Sequence, residues 1–159
     1  KPRVDQAEKI VSEMPKRPAI KYGAGLNPAY NPAFDVVEMP NREQFENVQA
    51  FFSVLFHELT HGTGHKSRLD RFSKHEGSRE ERYSYEELVA ELGAAFLCGT
   101  CGLDSVGQLD NTSAYISGWL KALRDDKKML LHAAGAAQKA ADFILGQAHE
   151  RGQEERAAA

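Results

Sequence analysis

The sequence is poor in cysteine, in long apolar runs and in any excess of one charge sign. Two cysteines are too few for the disulfide framework of a small secreted protein. No apolar run reaches the length of a membrane span and no secretory signal is visible, so we expect a cytoplasmic protein with no membrane partner. The formal net charge of -3 provides no overall basic footprint for nucleic acid.

The composition that remains is that of an ordinary globular domain. The chain has 159 residues, 42% of them apolar, which is enough for one domain with a real core. It starts at Lys1 and ends in three alanines, from which we expect either a piece of a longer protein or a trimmed chain with a vector remnant. We predict an N-terminal helix and linker over residues 1–18 as the remnant of that protein, a folded domain over 19–152 and a disordered tail over 153–159.

One stretch, residues 57–65, carries a recognisable chemistry. It reads His-Glu-Leu-Thr-His-Gly-Thr-Gly-His, and its first five residues form the H-E-x-x-H pattern of zinc hydrolases. Residues four apart lie on one face of a helix, so His57 and His61 can offer two imidazoles to one metal ion. Glu58 lies beside them, where a carboxylate can take a proton from a metal-bound water.

An apolar stripe ahead of the motif predicts that the motif lies on an amphipathic helix. The two histidines fall on a different face from the stripe, and Gly62 follows them as a helix terminator. This context favours a metal site over a pair of solvated histidines. The stripe consists of Val48, Phe51, Phe52, Leu55 and Leu59.

The order of the other predicted elements favours an α+β fold, in which a small antiparallel sheet packs on a helical bundle. The charged segment 66–83 is predicted to be a mobile, solvated surface loop. Strands are predicted at 19–22, 30–34 and 35–39. Helices are predicted at 3–14, in a short turn after Pro40, from about Asn47, over 85–101, after a cap at Asn111 or Thr112, and after Gly135.

Cys98 and Cys101 have the C-x-x-C spacing of a redox pair or of half a zinc site. They continue the apolar pattern of the 85–101 helix, and the chain has no second pair. We therefore predict two buried or half-buried free thiols, which fits a reducing compartment.

A catalytic zinc needs a third protein ligand and one open position. His65 comes two residues too early for the extended H-E-x-x-H-x-x-G-x-x-H pattern, which leaves it the role of closing the site or orienting a ligand. Further along, Glu87 and Glu91 share one face of the 85–101 helix. Either carboxylate can complete the site.

Several stretches together resemble the zincin-like metallopeptidase domain of ArdC-type antirestriction proteins, which occur on conjugative plasmids and in phage polyvalent proteins. The resemblance covers about residues 19–146. Gly62 departs from it, because the family usually has tryptophan there, and looser packing after the helix is predicted. The matching stretches are Met39-Pro40, Phe45, residues 57–61, Thr63-Gly64-His65, Ser67-Arg68-Leu69, Arg71, residues 85–98, Tyr115-Ile116 and Trp119-Leu120.

The resemblance implies a gluzincin-like zinc metallopeptidase. Glu87 is then the third metal ligand, and Glu91 orients a ligand histidine. The ion is Zn²⁺ or another divalent ion such as Mn²⁺, because sites with nitrogen and oxygen ligands bind several metals. The whole protein protects incoming DNA from restriction, and single-stranded DNA is bound by a separate N-terminal domain that this chain lacks.

For a peptidase, Glu58 is the general base, and the developing oxyanion needs a further donor. Tyr115, His65 and His132 are the candidates, and a strand, 35–39 above all, is expected to bind a peptide substrate by edge addition. The alternative function is a catalytically silent, metal-stabilised interaction module that acts on restriction enzymes or supports the DNA-binding domain. A deformylase is disfavoured, since neither cysteine lies upstream of His57.

Overall fold

The computed structural model describes residues 2–103 and 124–147. It confirms an α+β fold, with long helices packed on a small sheet. None of the described helices is long and apolar enough to cross a membrane. The elements, in chain order, are α1 (Pro2–Glu13), β1 (Ala19–Tyr22), β2 (Ala29–Asn31), β3 (Val36–Met39), a 3₁₀ turn (Arg42–Gln44), α2 (Val48–Gly62), α3 (Arg71–Lys74), α4 (Arg79–Cys101) and α5 (Lys127–Ile144).

The sheet is mixed, so the prediction of an antiparallel sheet is wrong. Its strand order is β1-β3-β2, with β1 parallel to β3 and β2 antiparallel to β3. Only β2 and β3 form a hairpin, and its turn includes Asp35 in the left-handed region (φ 53°), which aspartate tolerates better than most residues. Strand β3 is therefore central and β2 is an open edge. The local pattern located the three strands, but pairing between β1 and β3 is a long-range choice that it does not encode.

Helix α2 lies between the sheet and α4. Its apolar stripe is buried as predicted, apart from the partly buried Val48, and forms one core with Val37 and Met39 of β3 and with Leu97 of α4. Helix α1, which we predicted as part of a separate segment, contributes Ala7 and Val11 to the same core. The domain boundaries at residues 18 and 152 stay predictions, and the tail over 153–159 lies outside the described residues.

Two helices begin earlier than predicted, because a polar residue caps the N-terminus of each. Ser78 caps α4, since its hydroxyl accepts from the backbone N–H of Glu81 and the Glu81 carboxylate accepts from the backbone N–H of Ser78. Asp126 caps α5 by accepting a hydrogen bond from the backbone N–H of Met129, so a start after Gly135 is wrong and Gly135 lies inside the helix. The predicted helix capped by Asn111 or Thr112 lies outside the described residues.

Cys98 and Cys101 are free and buried in the core, as predicted. Burial raises the pKa of the Cys98 thiol to about 11 and also raises that of Cys101. Because the reactive species is the thiolate, both side chains behave as small apolar groups of the core.

The close approach of α2 and α4 depends on Gly93. A Cβ atom at this position would lie 2.6 Å from Cγ2 of Thr60, which is fully buried on α2. Because Gly93 has no side chain, the backbone of α4 packs directly against the Thr60 side chain of α2. This contact sets the distance between the histidines on α2 and the glutamates on α4.

We expect Gly93→Ala to be less stable than Gly99→Ala by about 1–3 kcal/mol, the usual cost of overpacking a core. Both glycines lie in α4, so the gain in helix propensity is similar and largely cancels. A Cβ at Gly99 meets nothing within 4 Å. Urea unfolding of the two variants measures the difference, and equal stabilities would contradict the close contact.

Candidate metal centre

Three side chains from α2 and α4 converge on one point. The Nε2 atoms of His57 and His61 are 3.1 Å apart, Oε1 of Glu87 lies 3.1 Å from Nε2 of His61, and Oε2 of Glu87 lies 3.5 Å from Nε2 of His57. Two ligands of a tetrahedral zinc ion, each bound at about 2.0–2.2 Å, are roughly 3.3 Å apart. The three donor atoms therefore fit a single divalent ion, and the group is of the kind that holds one.

The sequence places these residues by helix geometry. His57 and His61 lie one turn apart on α2, which begins after Asn47, whose side chain accepts from the backbone N–H of Ala50 at 2.8 Å. Glu87 lies on α4, and the contact at Gly93 brings that helix close. Glu87 and Glu91 share a face of α4, as predicted, but only Glu87 lies within reach of both Nε2 atoms.

The remaining ring nitrogens face other carboxylates. Nδ1 of His57 lies 3.0 Å from Glu91, and Nδ1 of His61 lies 3.7 Å from Glu86. Metal-binding imidazoles usually donate their second N–H to such a group, which fixes the ring. Sequence reasoning named Glu91 for this place through the family resemblance and missed Glu86, because Glu86 is off the face that Glu87 and Glu91 share.

The carboxylates and imidazoles of the centre shift one another's pKa values. Burial alone lowers the pKa of His57, but hydrogen bonds to Glu87 and Glu91 raise it to about 10. Hydrogen bonds to the two histidines in turn hold the pKa of Glu87 at about 2. Two nitrogens 3.1 Å apart cannot both point a proton at the other, so at most one proton lies between them. A metal ion replaces such a proton when it binds.

Glu58, the predicted base, is buried beside this triangle, with only 8% of its surface exposed. Burial raises the pKa of its carboxyl, an effect that the nearby His57 and His61 oppose. The backbone N–H of Tyr30, on the edge strand β2, donates a hydrogen bond to the Glu58 carboxylate. A carboxylate with a raised pKa, held in one orientation, is suited to accept and return a proton.

Tyr30 is itself held through a buried arginine. Its hydroxyl donates to Asp35 at 2.7 Å, and Arg68 donates to both Asp35 oxygens at 2.7 and 2.9 Å. Arg68 also donates to the carbonyls of Gly62 and Lys16, and its side chain is only 2% exposed. This series of contacts, from Arg68 through Asp35 to Tyr30, fixes the edge strand β2 beside α2.

The segment 66–83 is only in part the solvated loop that we predicted: residues 76–83 are exposed, but Arg68 and Arg71 are held inside the fold. Arg68 and Arg71 turn back under the end of α2, where carbonyl oxygens have no partner within the helix and attract cations. Arg71 donates to the carbonyl of Thr60 and to the hydroxyl of Thr63. A dense mixture of charges is typical of a surface loop, and nothing local marks which cations are buried.

Gly62, where looser packing was predicted, is buried and well packed. A Cβ there would lie 3.4 Å from Cγ of Pro18 and 3.5 Å from Cε2 of Tyr30, which are ordinary contacts. Pro18 and the Tyr30 ring thus fill the space beside the end of α2.

A cavity of about 690 Å³ opens over the metal centre. Strand β2 forms one wall and α4 the other, with Glu58, His57 and His61 lining it from α2. The prediction that strand 35–39 receives a peptide is wrong, because β3 is paired on both sides. The open edge beside the cavity belongs to β2.

The three predicted oxyanion donors do not lie together at this cavity. His132 lines a separate cavity beside Leu131, and Nδ1 of His65 pairs with the Ser67 hydroxyl at 2.8 Å, outside the cavity wall. Tyr115 lies outside the described residues. Sequence reasoning missed His75 and Tyr83, which do line the cavity. Tyr83 had a local signal, because it lies one helical turn before Glu87.

An H-E-x-x-H helix whose histidines meet a glutamate from a later helix, beside a small sheet, defines a zincin-like domain. The model of the zincin-like metallopeptidase family matches residues 5–136, and the chain belongs to this family. This confirms the resemblance that the sequence motifs indicated.

Solved and curated relatives agree with this assignment. The antirestriction protein ArdC of plasmid R388, 38% identical, superposes with a TM-score of 0.71 in its Mn(II)-bound structure and 0.69 in its metal-free structure. These matches cover 93% and 94% of this chain and 52% of ArdC.

Two curated relatives are each 36% identical to this chain. A DNA primase TraC of Escherichia coli matches over 144 residues, which are 89% of this chain and 13% of TraC. The uncharacterized protein y4eC of Sinorhizobium fredii matches over 146 residues, 91% of this chain and 46% of y4eC. The chain thus spans about half or less of the length of these relatives.

Proposed function

We propose that this domain is a divalent-metal-dependent peptide hydrolase within a larger antirestriction protein. The observation that carries the proposal is the placement of Glu58, buried against the His57, His61 and Glu87 triangle and held by the open edge strand of the same cavity. Zinc and manganese both suit the two imidazoles and one carboxylate, and the related ArdC protein has a Mn(II)-bound structure.

A bound divalent ion supplies Lewis acidity towards the substrate carbonyl and towards an attacking water. The protein's own groups do the rest. Glu58 accepts the proton of the attacking water and returns it to the leaving amine, for which a buried carboxyl with a raised pKa is suited. An extended peptide lies across the cavity beside β2, whose Tyr30 N–H is already engaged by Glu58 and takes no part in backbone pairing with the substrate.

The test is cleavage of an unbiased peptide mixture, followed by mass spectrometry. We expect new termini to appear with protein loaded with zinc or with manganese and to be absent after metal removal by a chelator. Protein that holds one metal ion per chain and yields no new termini with either ion would contradict the proposal.

A second candidate is a catalytically silent interaction module that acts on a restriction enzyme or supports a separate DNA-binding domain. It is favoured by one observation: the related ArdC has a metal-free structure that resembles this chain about as well as the Mn(II)-bound one. Under this reading, antirestriction activity of the whole protein survives Glu58→Gln. Under either reading we assign single-stranded DNA binding to another domain of the whole protein.

A further inference from the structure

Arg71 lies behind the metal centre and makes a buried network. Its Nε and Nη2 atoms donate to the two oxygens of Glu86 at 2.5 and 3.0 Å, and its side chain is only 10% exposed. Nη2 also donates to the carbonyl of Thr60, and Nη1 donates to the Thr63 hydroxyl, each at 3.1 Å. The planar guanidinium thus joins α2 to α4 with donors in a fixed fork, which a lysine cannot reproduce.

Glu86 also meets a candidate metal ligand. Its Oε2 atom, which accepts from Nη2 of Arg71, lies 3.7 Å from Nδ1 of His61, within ion-pair range. Because Arg71 engages both oxygens, the carboxylate cannot rotate away from the imidazole without breaking a bidentate pair. The contacts run in one line from Arg71 through Glu86 to His61.

We propose that Arg71 is a positioning residue of the metal centre, which holds His61 in its ligating orientation through Glu86. This rests on the metal binding in the proposed function but not on peptide hydrolysis. Partners of this kind around a ligand histidine typically change metal affinity 10–100-fold when they are lost. The hydrolytic mechanism described above gives Arg71 itself no role.

Arg68 supplies a matched comparison. It also caps the end of α2 and also forms a bidentate pair, but its carboxylate is Asp35, on the hairpin turn, and not a neighbour of a ligand. Loss of the Arg68 guanidinium therefore disturbs a buried hydrogen-bond network of similar size. It leaves the partners of Nδ1 of His57 and of His61 in place. A merely structural role predicts the same result at both arginines.

The experiment compares Arg71→Lys and Arg68→Lys in the whole chain. Lysine keeps the positive charge, so long-range attraction or repulsion of the ion is unchanged and only the fork is lost. Zn²⁺ and Mn²⁺ dissociation constants are measured by competition with a chromophoric chelator, and unfolding of the metal-free proteins is measured alongside. We expect about tenfold weaker metal binding in Arg71→Lys and less than a twofold change in Arg68→Lys.

Glu86→Gln provides a second route to the same link, and it is expected to weaken metal binding without a further loss when combined with Arg71→Lys. Unchanged affinity in Arg71→Lys and Glu86→Gln, or an equal loss in Arg68→Lys, would overturn the proposal. Since the readout is metal affinity, a protein that cleaves no peptide still gives a decisive result for Arg71.

Discussion

Glu58→Gln is expected to lower the rate of peptide hydrolysis about 10³–10⁴-fold while the metal stays bound. Glutamine has the shape of glutamate, and its amide oxygen can still accept the hydrogen bond from the Tyr30 backbone, so the local structure is kept. It cannot take up the proton of the attacking water. The expected loss corresponds to about 4–5.5 kcal/mol of transition-state stabilisation, the contribution of a well-placed general base.

The measurements are kcat/KM on the best peptide found in the mixture and metal content by mass spectrometry. Glu46→Gln is the matched control, since this carboxylate is exposed just ahead of α2 and the same change there should be silent. If Glu58→Gln retains full activity with metal bound, another group is the base and the mechanism is wrong.

Glu87→Ala should weaken metal binding about 10³-fold, whereas Glu91→Ala should weaken it only about 10–100-fold. The first removes an oxygen that lies 3.1 Å from Nε2 of His61, on the metal side of both rings. The second removes a partner of Nδ1 of His57, on the far side of that ring. Both substitutions are the same change, one turn apart on α4.

Isothermal titration of the metal-free proteins with Zn²⁺ and Mn²⁺ separates the two roles. His132→Ala is a suitable control, because His132 lines a different cavity and its loss should leave affinity unchanged. A larger loss in Glu91→Ala than in Glu87→Ala would reverse the assignment of the third ligand.

The parts of the site that the sequence revealed are those fixed by helix periodicity. His57 and His61, like Glu87 and Glu91, share a face because they are four residues apart, and this follows from local geometry alone. The amphipathic stripe likewise predicted which side of α2 is buried. These inferences needed no knowledge of how the chain folds back on itself.

The parts that escaped depend on tertiary contacts. The burial of Arg68 and Arg71 depends on their contacts with the carbonyls of Gly62 and Thr60 at the end of α2, and those contacts exist only once the segment folds under the helix. Glu86 acquires its place from Arg71, fifteen positions away. The order of the strands also depends on long-range pairing. It places β3, the strand we expected to bind a peptide, at the centre of the sheet and β2 at the edge.

The open edge of β2 also bears on how the protein avoids aggregation through strand pairing between copies. An unpaired strand edge is a template for polymerisation, and long flat edges are the most hazardous. Here the strand has three residues, Ala29–Asn31, and Pro28 and Pro32 bracket it. Proline has no N–H to donate, so a ladder cannot extend past either end. The same two prolines limit any backbone pairing with a bound peptide to the three residues of the strand.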